Sequence, residues 1–292
     1  MSIQVAVIGT NGYVGKHLCQ SLVNSGVAVI GFSAGEKTGI SLETGLFPDN
    51  LVFPTGLDTV YYLAQSPRYR QTPEQSAHLI SVNCVAAIQA AEAARRAGVR
   101  RFIYASTGNV YEPSFLPIPE TAPVRRDNWY SLSKLMAEDA LALFRPELDI
   151  TIVRIFGVYG PQQTNKLVPM IADKIEAGLE VLLDRNPTDP NDMDGLVISL
   201  IYIDDLVRAL LSLMEISQSE CMNLAGIEAV SIRKLATELA RCMGLPCSIK
   251  MNDSTRAFNL IANTTLQMKR VGEPLISLTE GIERFCCARK RI

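Results

Sequence analysis

The first 160 residues alternate between short apolar runs and longer stretches in which apolar residues recur every three or four positions. Residues 3–8, 27–33, 58–65 and 101–106 are apolar runs rich in β-branched and aromatic side chains, as is typical of buried strands. A helical pattern follows the first run, and another spans residues 74–97 and stops at Gly98. This alternation predicts a doubly wound α/β domain built on a parallel sheet.

The alternation becomes less regular after Pro161, which predicts a second, smaller lobe. A polar, turn-rich loop covers residues 184–195 of this part. It does not fit a calcium-binding loop, because Pro190 occupies the first ligand position and no glutamate closes the twelve-residue frame. We therefore predict no metal site and assign the loop to the second lobe.

A glycine-rich turn joins the first predicted strand to the first predicted helix. Gly9, Gly12 and Gly15 follow one another at intervals of three, which differs from the more familiar Gly-x-Gly-x-x-Gly spacing. Glycines permit a tight turn and a close approach of the backbone to a pyrophosphate, whose charge the helix N-terminus stabilises. Strand, turn and helix in this order predict a dinucleotide-binding site.

A second motif places Tyr130 and Lys134 four residues apart on one predicted helix. Residues at that spacing are neighbours on a helix face. An ammonium beside a phenol favours the phenolate, so the tyrosine pKa of about 10 is expected to fall toward neutrality. Such a group is suited to acid–base catalysis near pH 7.

With these two motifs the chain resembles the extended short-chain dehydrogenase/reductase superfamily, in its NAD-dependent epimerase/dehydratase group. Further resemblance lies, in chain order, in residues 58–65, 102–111, 154–161, 201–205, 223–226 and 277–282. The resemblance implies a Rossmann-type doubly wound parallel sheet with a smaller C-terminal substrate-binding lobe. It assigns residues 1–161 and 199–226 to the cofactor domain and residues 162–198 and 227–292 to the lobe.

The resemblance also implies roles for individual residues. Tyr130 would exchange the proton of the reacting hydroxyl, Thr107 would hydrogen-bond the reacting oxygen, and Lys134 would lower the tyrosine pKa and hold the nicotinamide ribose. The residues expected at the cofactor are Gly9, Asn11, Gly12, Tyr13, Val14, Gly15, Ser33, Leu63, Ala64, Gln65, Asn83, Tyr130 and Lys134.

The choice between NAD and NADP stays open. Ser33 stands at the end of the second strand, where the family carries an acidic residue that binds the adenosine ribose. Without that carboxylate a 2′-phosphate is not repelled, and Lys37 could reach one. The alternative is that Lys37 is a solvated loop charge.

Other departures bear on the substrate. Gly108 and Asn109 replace the acidic pair of the dehydratases, and neither can transfer the required proton. Gly157 and Ile198 stand where many sugar-nucleotide enzymes carry an asparagine and a diphosphate-binding arginine. Arg256 could replace that arginine or could cap the surface of the lobe, so Gly108, Asn109, Gly157 and Arg256 are the candidate substrate residues.

These motifs favour an NAD(P)-dependent, sugar-nucleotide epimerase-like enzyme that transfers a hydride reversibly at a carbinol carbon. A dehydrogenase or ketoreductase acting on a small molecule without a nucleotide uses the same residues and remains the alternative. A non-catalytic NAD(P)-binding sensor is a third interpretation. It is disfavoured because Thr107, Tyr130 and Lys134 are all present.

Composition adds expectations about partners and location. The chain has 28 basic and 30 acidic residues among 292, so we expect no general attraction to nucleic acid. We expect no membrane partner, because the sequence shows no apolar run of spanning length and no signal segment. The seven cysteines lack metal or redox spacing, which favours a reducing cytoplasm.

We also predict a homodimer. Family members commonly pair the helix after the fourth strand with the helix that carries the tyrosine and lysine. In this chain those stretches are residues 74–97 and 130–144. The small and apolar residues offered for the contact are Ile80, Cys84, Ala87, Ala91, Leu135 and Ala142.

Overall fold

The computed structural model describes residues 4–49, 51–216 and 219–290. Ile3, at the start of the first predicted strand, lies outside the described residues. The chain forms two compact units. Unit 1 comprises Met1–Tyr111, Pro123–Ile155 and Val207–Met222, and unit 2 comprises Glu112–Ala122, Phe156–Leu206 and Asn223–Ile292. The earlier division into a cofactor domain and a substrate lobe stays a prediction.

Strands and helices alternate along unit 1. In chain order they are β1 (Gln4–Ile8), α1 (Tyr13–Asn24), β2 (Ala28–Phe32), β3 (Leu57–Tyr62), α2 (Ser76–Ile80), α3 (Ala86–Arg96), β4 (Arg101–Thr107), α4 (Trp129–Ala142) and β5 (Asp149–Ile155).

Later elements belong mainly to unit 2. They are β6 (Gly157–Tyr159), α5 (Leu167–Glu176), β7 (Val181–Arg185), β8 (Val197–Tyr202), α6 (Ile203–Ser212), β9 (Glu220–Leu224), β10 (Ala229–Ser231), α7 (Ile232–Met243), β11 (Ile249–Thr255), α8 (Thr265–Val271) and α9 (Leu278–Arg289).

A six-stranded sheet in the order β2-β1-β3-β4-β5-β9 organises unit 1. The pairs β1–β2, β1–β3, β3–β4 and β4–β5 are all parallel. This sheet confirms the predicted α/β class. The stretch from 58 to 65, which resembles a fourth strand, is the third strand here, because the described residues between Phe32 and Leu57 form no strand.

Both faces of the central strands are buried. On one face Ala6, Tyr62 and Tyr104 pack with the alanines of α3, and on the other Tyr61 donates a hydrogen bond to the backbone oxygen of Leu210. A parallel sheet covered on both faces needs apolar residues at nearly every position. This explains the continuous apolar runs in the sequence.

A π-helical turn, Ser81–Val85, joins α2 to α3. Two buried tyrosines on neighbouring strands donate hydrogen bonds to backbone oxygens of this turn. Tyr62 donates its hydroxyl hydrogen to the backbone oxygen of Val82, and Tyr104 does so to that of Asn83 at 2.7 Å. The predicted helix therefore exists, but with an insertion that fixes Asn83 against the sheet.

This helical stretch from Ser76 to Arg96 also has the length and composition of a membrane span, although the sequence was expected to contain none. Of the 18-residue apolar window within this stretch, 61% is buried inside the protein. A core helix packed on a sheet has the same properties.

The residues predicted for a dimer interface are mostly in the core. Cys84, Ala87, Ala91 and Leu135 are between 0% and 4% exposed, so the prediction is wrong for these four. Close helix packing does use the small alanines, as expected, but within the same chain, because α3 and α4 pack on their own sheet and on each other.

Unit 2 contains two small sheets, β10-β8-β6 and β11-β7. In the first, β8 pairs in parallel with β6 and antiparallel with β10. Asn223 is fully buried, and its side-chain Nδ2 donates to the backbone oxygen of Ile118 at 2.9 Å. Its backbone N–H donates to the Glu120 carboxylate at 3.0 Å. These bonds hold the segment 112–122 in unit 2.

Candidate active site

The glycine turn after β1 has the backbone that a phosphate site requires. Gly9 has a φ of +95°, and a Cβ there would lie 2.8 Å from the backbone nitrogen of Ala64. A Cβ on Gly15 would lie 2.2 Å from the Gly9 oxygen. Only glycine fits either position, so the turn is tight and no side chain from these two residues covers its backbone.

The first turn of α1 supplies hydrogen-bond donors to this surface. Gly12 is the N-cap, and no side chain among the described residues caps the helix there. The backbone N–H groups of Tyr13, Val14 and Gly15 lie in the first turn of the helix, where an α-helix provides no carbonyl acceptor for its own N–H groups. Asn11 is exposed beside them. The residues present therefore fit the pyrophosphate of a dinucleotide.

The loop after β3 packs against the glycine turn. The backbone N–H of Leu63 donates to the Ile8 oxygen at 2.9 Å, and Ala64 is the residue that Gly9 approaches closely. Gln65 follows and is exposed. These three residues were predicted at the cofactor, and the structure brings them to the same end of the sheet as the glycines.

Ser33 lies at the end of β2, as predicted, but it is buried. Its hydroxyl is 2.6 Å from that of Thr10, the residue after Gly9. The contact ties the glycine turn to the end of β2. The Ser33 hydroxyl therefore already has a hydrogen-bond partner within the protein.

The predicted catalytic residues Thr107 and Tyr130 meet at the carboxyl end of the sheet. Thr107 ends β4, and Tyr130 is in the first turn of α4, which Asn128 caps by accepting the Ser131 N–H at 2.9 Å. The Thr107 hydroxyl hydrogen-bonds Tyr130, and the Tyr130 hydroxyl donates to Oε1 of Gln65 at 3.1 Å.

Asn109 extends this hydrogen-bonded chain. Its backbone and side-chain nitrogens both donate to Oγ1 of Thr107, each at 3.2 Å. Thr107 therefore has both acceptor positions used and directs its own hydrogen toward Tyr130. Gly108, beside it, is buried in a short 3₁₀ turn. Sequence patterns did not reveal that Asn109 orients Thr107, because the contact depends on that turn.

The pKa of Tyr130 differs from the sequence-based expectation. Burial raises it to about 12, the hydrogen bond from Thr107 opposes that rise, and the nearby Tyr69 phenol adds to it. Lys134 does not lower it. The expectation assumed that neighbours at i and i+4 touch through their charged ends, whereas the lysine is directed elsewhere.

Lys134 is buried on the inner face of α4. Its Nζ donates to the backbone oxygen of Ala105 at 2.7 Å and lies 4.8 Å from the centre of the Tyr104 ring. Burial lowers its pKa from 10.5 to about 7, against the opposing effect of the Glu138 carboxylate. At neutral pH this amine is therefore close to half-protonated, so it can gain or lose a proton.

A buried ion pair that the sequence motifs did not indicate lies one turn further along α4. Both carboxylate oxygens of Glu138 accept from Nε of Arg154 on β5 at 3.2 Å, and one of them also accepts from a terminal nitrogen at 2.6 Å. Ser106 also donates to Glu138. The signal was present in the spacing, since Glu138 follows Lys134 by four residues, as Lys134 follows Tyr130.

Asn83 braces the loop after β3 against α4. It is fully buried, its Oδ1 accepts the Ser66 N–H at 3.1 Å, and its Nδ2 donates to the Ser133 hydroxyl at 3.0 Å. The structure thus gives Asn83 a positioning role. Its predicted contact with the cofactor stays a prediction.

The predicted substrate residues of unit 2 do not form a polar cluster. Gly157 lies against apolar side chains, since a Cβ there would be 2.6 Å from Leu200 and 3.0 Å from Ile198. The two departures from the family pattern at 157 and 198 are therefore neighbours.

Arg256 is buried and already has several partners. It donates to Oδ1 of Asn259 and to the backbone oxygen of Asp184, each at 3.1 Å, and it forms an ion pair with Asp192. These bonds account for a structural role. Its predicted role in substrate binding stays a prediction. No group of three or more potential metal ligands occurs among the described residues.

Comparison with known proteins places these features in a family. The sequence profile of the NAD dependent epimerase/dehydratase family matches residues 5–225. The chain is 28% identical to a UDP-glucose 4-epimerase of Azospirillum brasilense, over 83% of this chain and 78% of that protein. It is 27% identical to a dTDP-4-dehydro-6-deoxy-D-allose reductase of Streptomyces sp, over 86% and 84%.

A solved structure shows the same fold. The UDP-glucuronic acid 4-epimerase of Bacillus cereus, crystallised with UDP-glucuronic acid and NAD, superposes with a TM-score of 0.81 at 23% identity, over 99% of each chain. The matched profile covers the glycine turn, Thr107, Tyr130 and Lys134. The chain therefore belongs to the NAD dependent epimerase/dehydratase family.

Proposed function

We propose that this protein is a sugar-nucleotide epimerase-like enzyme that uses NAD or NADP for reversible hydride transfer at a carbinol carbon. One observation carries the proposal. The Tyr130 hydroxyl is bridged between Thr107 and Gln65, and Gln65 lies on the loop that packs against the glycine turn. An acid–base group is thus held beside the surface that fits a dinucleotide.

The proton chemistry belongs to Tyr130. With a pKa of about 12, its phenol is protonated at neutral pH and is set to donate to a carbonyl oxygen. In the opposite direction the base is the phenolate that this donation leaves, and it takes up the proton of the substrate hydroxyl. Thr107, oriented by Asn109, hydrogen-bonds the reacting oxygen and fixes its position.

The nicotinamide of the cofactor, when bound, supplies the hydride acceptor and donor. Gly9, Gly12 and Gly15 would hold its pyrophosphate, and the loop of Leu63 to Gln65 would line its path toward Tyr130. Lys134, with a pKa of about 7, would contact its ribose and add positive charge when protonated.

The relatives support both an epimerase and a reductase outcome. The two curated relatives reported above are a UDP-glucose 4-epimerase and a deoxy-sugar reductase, both of which act on nucleotide sugars by name. In an epimerase the substrate ketone turns and is reduced on its other face. In a reductase the product leaves after a single hydride transfer.

A second candidate is a ketoreductase whose substrate carries no nucleotide. The apolar group formed by Gly157, Ile198 and Leu200 favours it, because a diphosphate needs charged partners at its binding site. Arg256 favours it too, because each nitrogen of its guanidinium already bonds to a partner within unit 2.

The test is a direct assay of substrate stereochemistry. Purified protein is incubated with UDP-glucose or UDP-glucuronic acid and NAD, and the C4 configuration is followed by proton NMR. Inversion that is lost in Thr107→Val supports the epimerase. Oxidation of NADH or NADPH by a ketone substrate, without inversion of any nucleotide sugar, supports the second candidate instead.

We further propose that the active form is a homodimer in the cytoplasm. Trp129 and Met136 of α4 and its C-cap residue Leu143 are 39–82% exposed and follow one another at helical spacing. Val85, the last residue of the π-helical turn before α3, is also exposed. A second copy related by a two-fold axis would cover this apolar surface. All seven cysteines are free thiols, as a reducing compartment requires.

A further inference from the structure

The loop after β2 folds a carboxylate back onto the end of the strand. The backbone N–H of Ser33 donates to Oε2 of Glu36 at 3.4 Å, and the backbone N–H of Glu36 donates to the Ser33 oxygen at the same distance. The two residues therefore form a reciprocal turn. The negative charge lies within hydrogen-bonding distance of the residue that follows β2.

The backbone around Glu36 is fixed by its neighbours. The N–H of Gly39 donates to the Glu36 oxygen at 3.0 Å, and that of Gly35 donates to Ile40 at 2.9 Å. Gly39 also lies against β2, since a Cβ there would be 1.8 Å from the Ser33 oxygen. The loop is thus closely packed, and the exposed Glu36 side chain extends from a defined position.

This placement bears on the choice of cofactor. In dinucleotide-binding domains an acidic residue roughly 20 positions beyond the glycine turn binds the ribose hydroxyls and repels a 2′-phosphate. At the strand end itself this chain has Ser33, whose hydroxyl is bonded to Thr10. Glu36 follows Gly15 by 21 positions (36 minus 15) and returns its carboxylate to that strand end.

We propose that Glu36 supplies the carboxylate that binds the adenosine ribose, and that it makes the protein selective for NAD over NADP. The proposal deepens the proposed function, on whose dinucleotide site it rests. Lys37 is the neighbouring exposed charge of opposite sign, and the reciprocal turn holds Glu36, not Lys37, at Ser33. The residue type expected at position 33 is therefore supplied three positions later.

The experiment measures binding alone, without substrate. Isothermal titration calorimetry gives the Kd of NAD and of NADP for the wild type, for Glu36→Gln and for the matched control Lys37→Gln. We expect the wild type to bind NAD at least about tenfold more tightly than NADP, as a charge-assisted hydrogen bond implies. Glu36→Gln should bring the two values within about threefold of each other.

Lys37→Gln should keep the wild-type ratio. Circular dichroism checks that each variant is folded, which an exposed loop position permits. Equal affinities in the wild type, or an unchanged ratio in Glu36→Gln, would overturn the role of Glu36 while leaving the dinucleotide site intact. Binding of neither dinucleotide to the folded wild type would overturn the proposed function as well.

Discussion

Lys134 and Tyr130 show how burial determines the charge state of a residue. Both lie on α4, yet the lysine is directed to Ala105 and the tyrosine to Gln65. Burial disfavours the charged form of each, so it lowers the pKa of Lys134 to about 7 and raises that of Tyr130 to about 12. At neutral pH the tyrosine is therefore uncharged, and the lysine is close to half-protonated.

Lys134→Met should change how stability depends on pH. Between pH 7 and 10.5 the unfolded chain keeps the Lys134 proton while the folded chain releases it. The unfolded state binds more protons, so the free energy of unfolding rises with pH in this window, and the full cost of the buried charge is present below pH 7. Replacing the lysine removes this contribution.

Urea unfolding at pH 7, 8.5 and 10 measures the effect. We expect the stability advantage of Lys134→Met over the wild type to be on the order of a few kcal/mol at pH 7 and to shrink as the pH rises. The exposed Lys37→Met is the control and should show no such trend. A constant difference across the three values would mean that Lys134 titrates normally.

At the residue scale, the local sequence predicted the parts that depend on local spacing. The glycine turn, Tyr130 and Lys134 follow from fixed intervals along one turn or helix, and Thr107 from family resemblance. The contacts of Glu36, Gln65 and Asn109 depend on how irregular loops fold, which residue spacing does not encode. The tyrosine pKa was predicted in the wrong direction because spacing gives proximity of backbones, not the direction of a long side chain.

At the element scale, α4 is joined to the sheet through a buried ion pair. Glu138 of α4 and Arg154 of β5 are each less than 9% exposed, and Ser106 of β4 joins them. The guanidinium also lies 4.8 Å from the centre of the Tyr111 ring. Through Arg154 the pair fixes α4, which carries Tyr130, to β5. Through Ser106 it also fixes α4 to β4, the strand that carries Thr107.

Removing one member of this pair should destabilise the protein more than removing both. Glu138→Leu leaves the Arg154 charge buried without its carboxylate, at a cost of about 3–5 kcal/mol. Glu138→Leu combined with Arg154→Met should recover much of that loss, since apolar side chains of similar size can fill the space. Guanidinium unfolding of the single and double variants measures this, and a strictly additive result would contradict it.

Element boundaries followed the sequence except where backbone geometry departs from a regular pattern. The predicted helix over 74–97 exists, but the periodicity did not reveal the π-helical turn at Ser81–Val85. That turn depends on Tyr62 and Tyr104, which lie on two other elements. The described residues between β2 and β3 form no strand, which the family resemblance did not predict.

At the scale of the whole molecule, the exposed apolar residues along α4 and at its C-cap are the basis of the proposed homodimer. Four of the six residues first predicted for that contact are in the core, so the proposed interface uses the outward-facing Trp129, Met136 and Leu143 instead. Sequence periodicity identified two amphipathic helices but assigned the inward stripe to the wrong partner. Only the packed structure distinguishes the two faces.

Light scattering at micromolar concentration tests the dimer. We expect the wild type to have twice the 32.0 kDa mass of one chain. Met136→Lys should shift it toward the single-chain mass, because a charge in an apolar contact is costly. Leu182→Lys, at an exposed apolar position of β7 in unit 2, is the control and should stay dimeric. A wild type at 32.0 kDa would remove the proposed interface.

The central claim is that Tyr130 performs the proton transfer beside a bound dinucleotide, and Tyr130→Phe tests it most directly. The variant keeps the ring and its packing but loses the hydroxyl that joins Thr107 to Gln65. We predict that its Kd for NAD, measured by calorimetry, stays within about threefold of the wild type, while turnover falls by about 10²–10⁴-fold. Turnover within a few-fold of the wild type, with NAD bound normally, would contradict the assignment of Tyr130 as the acid–base group.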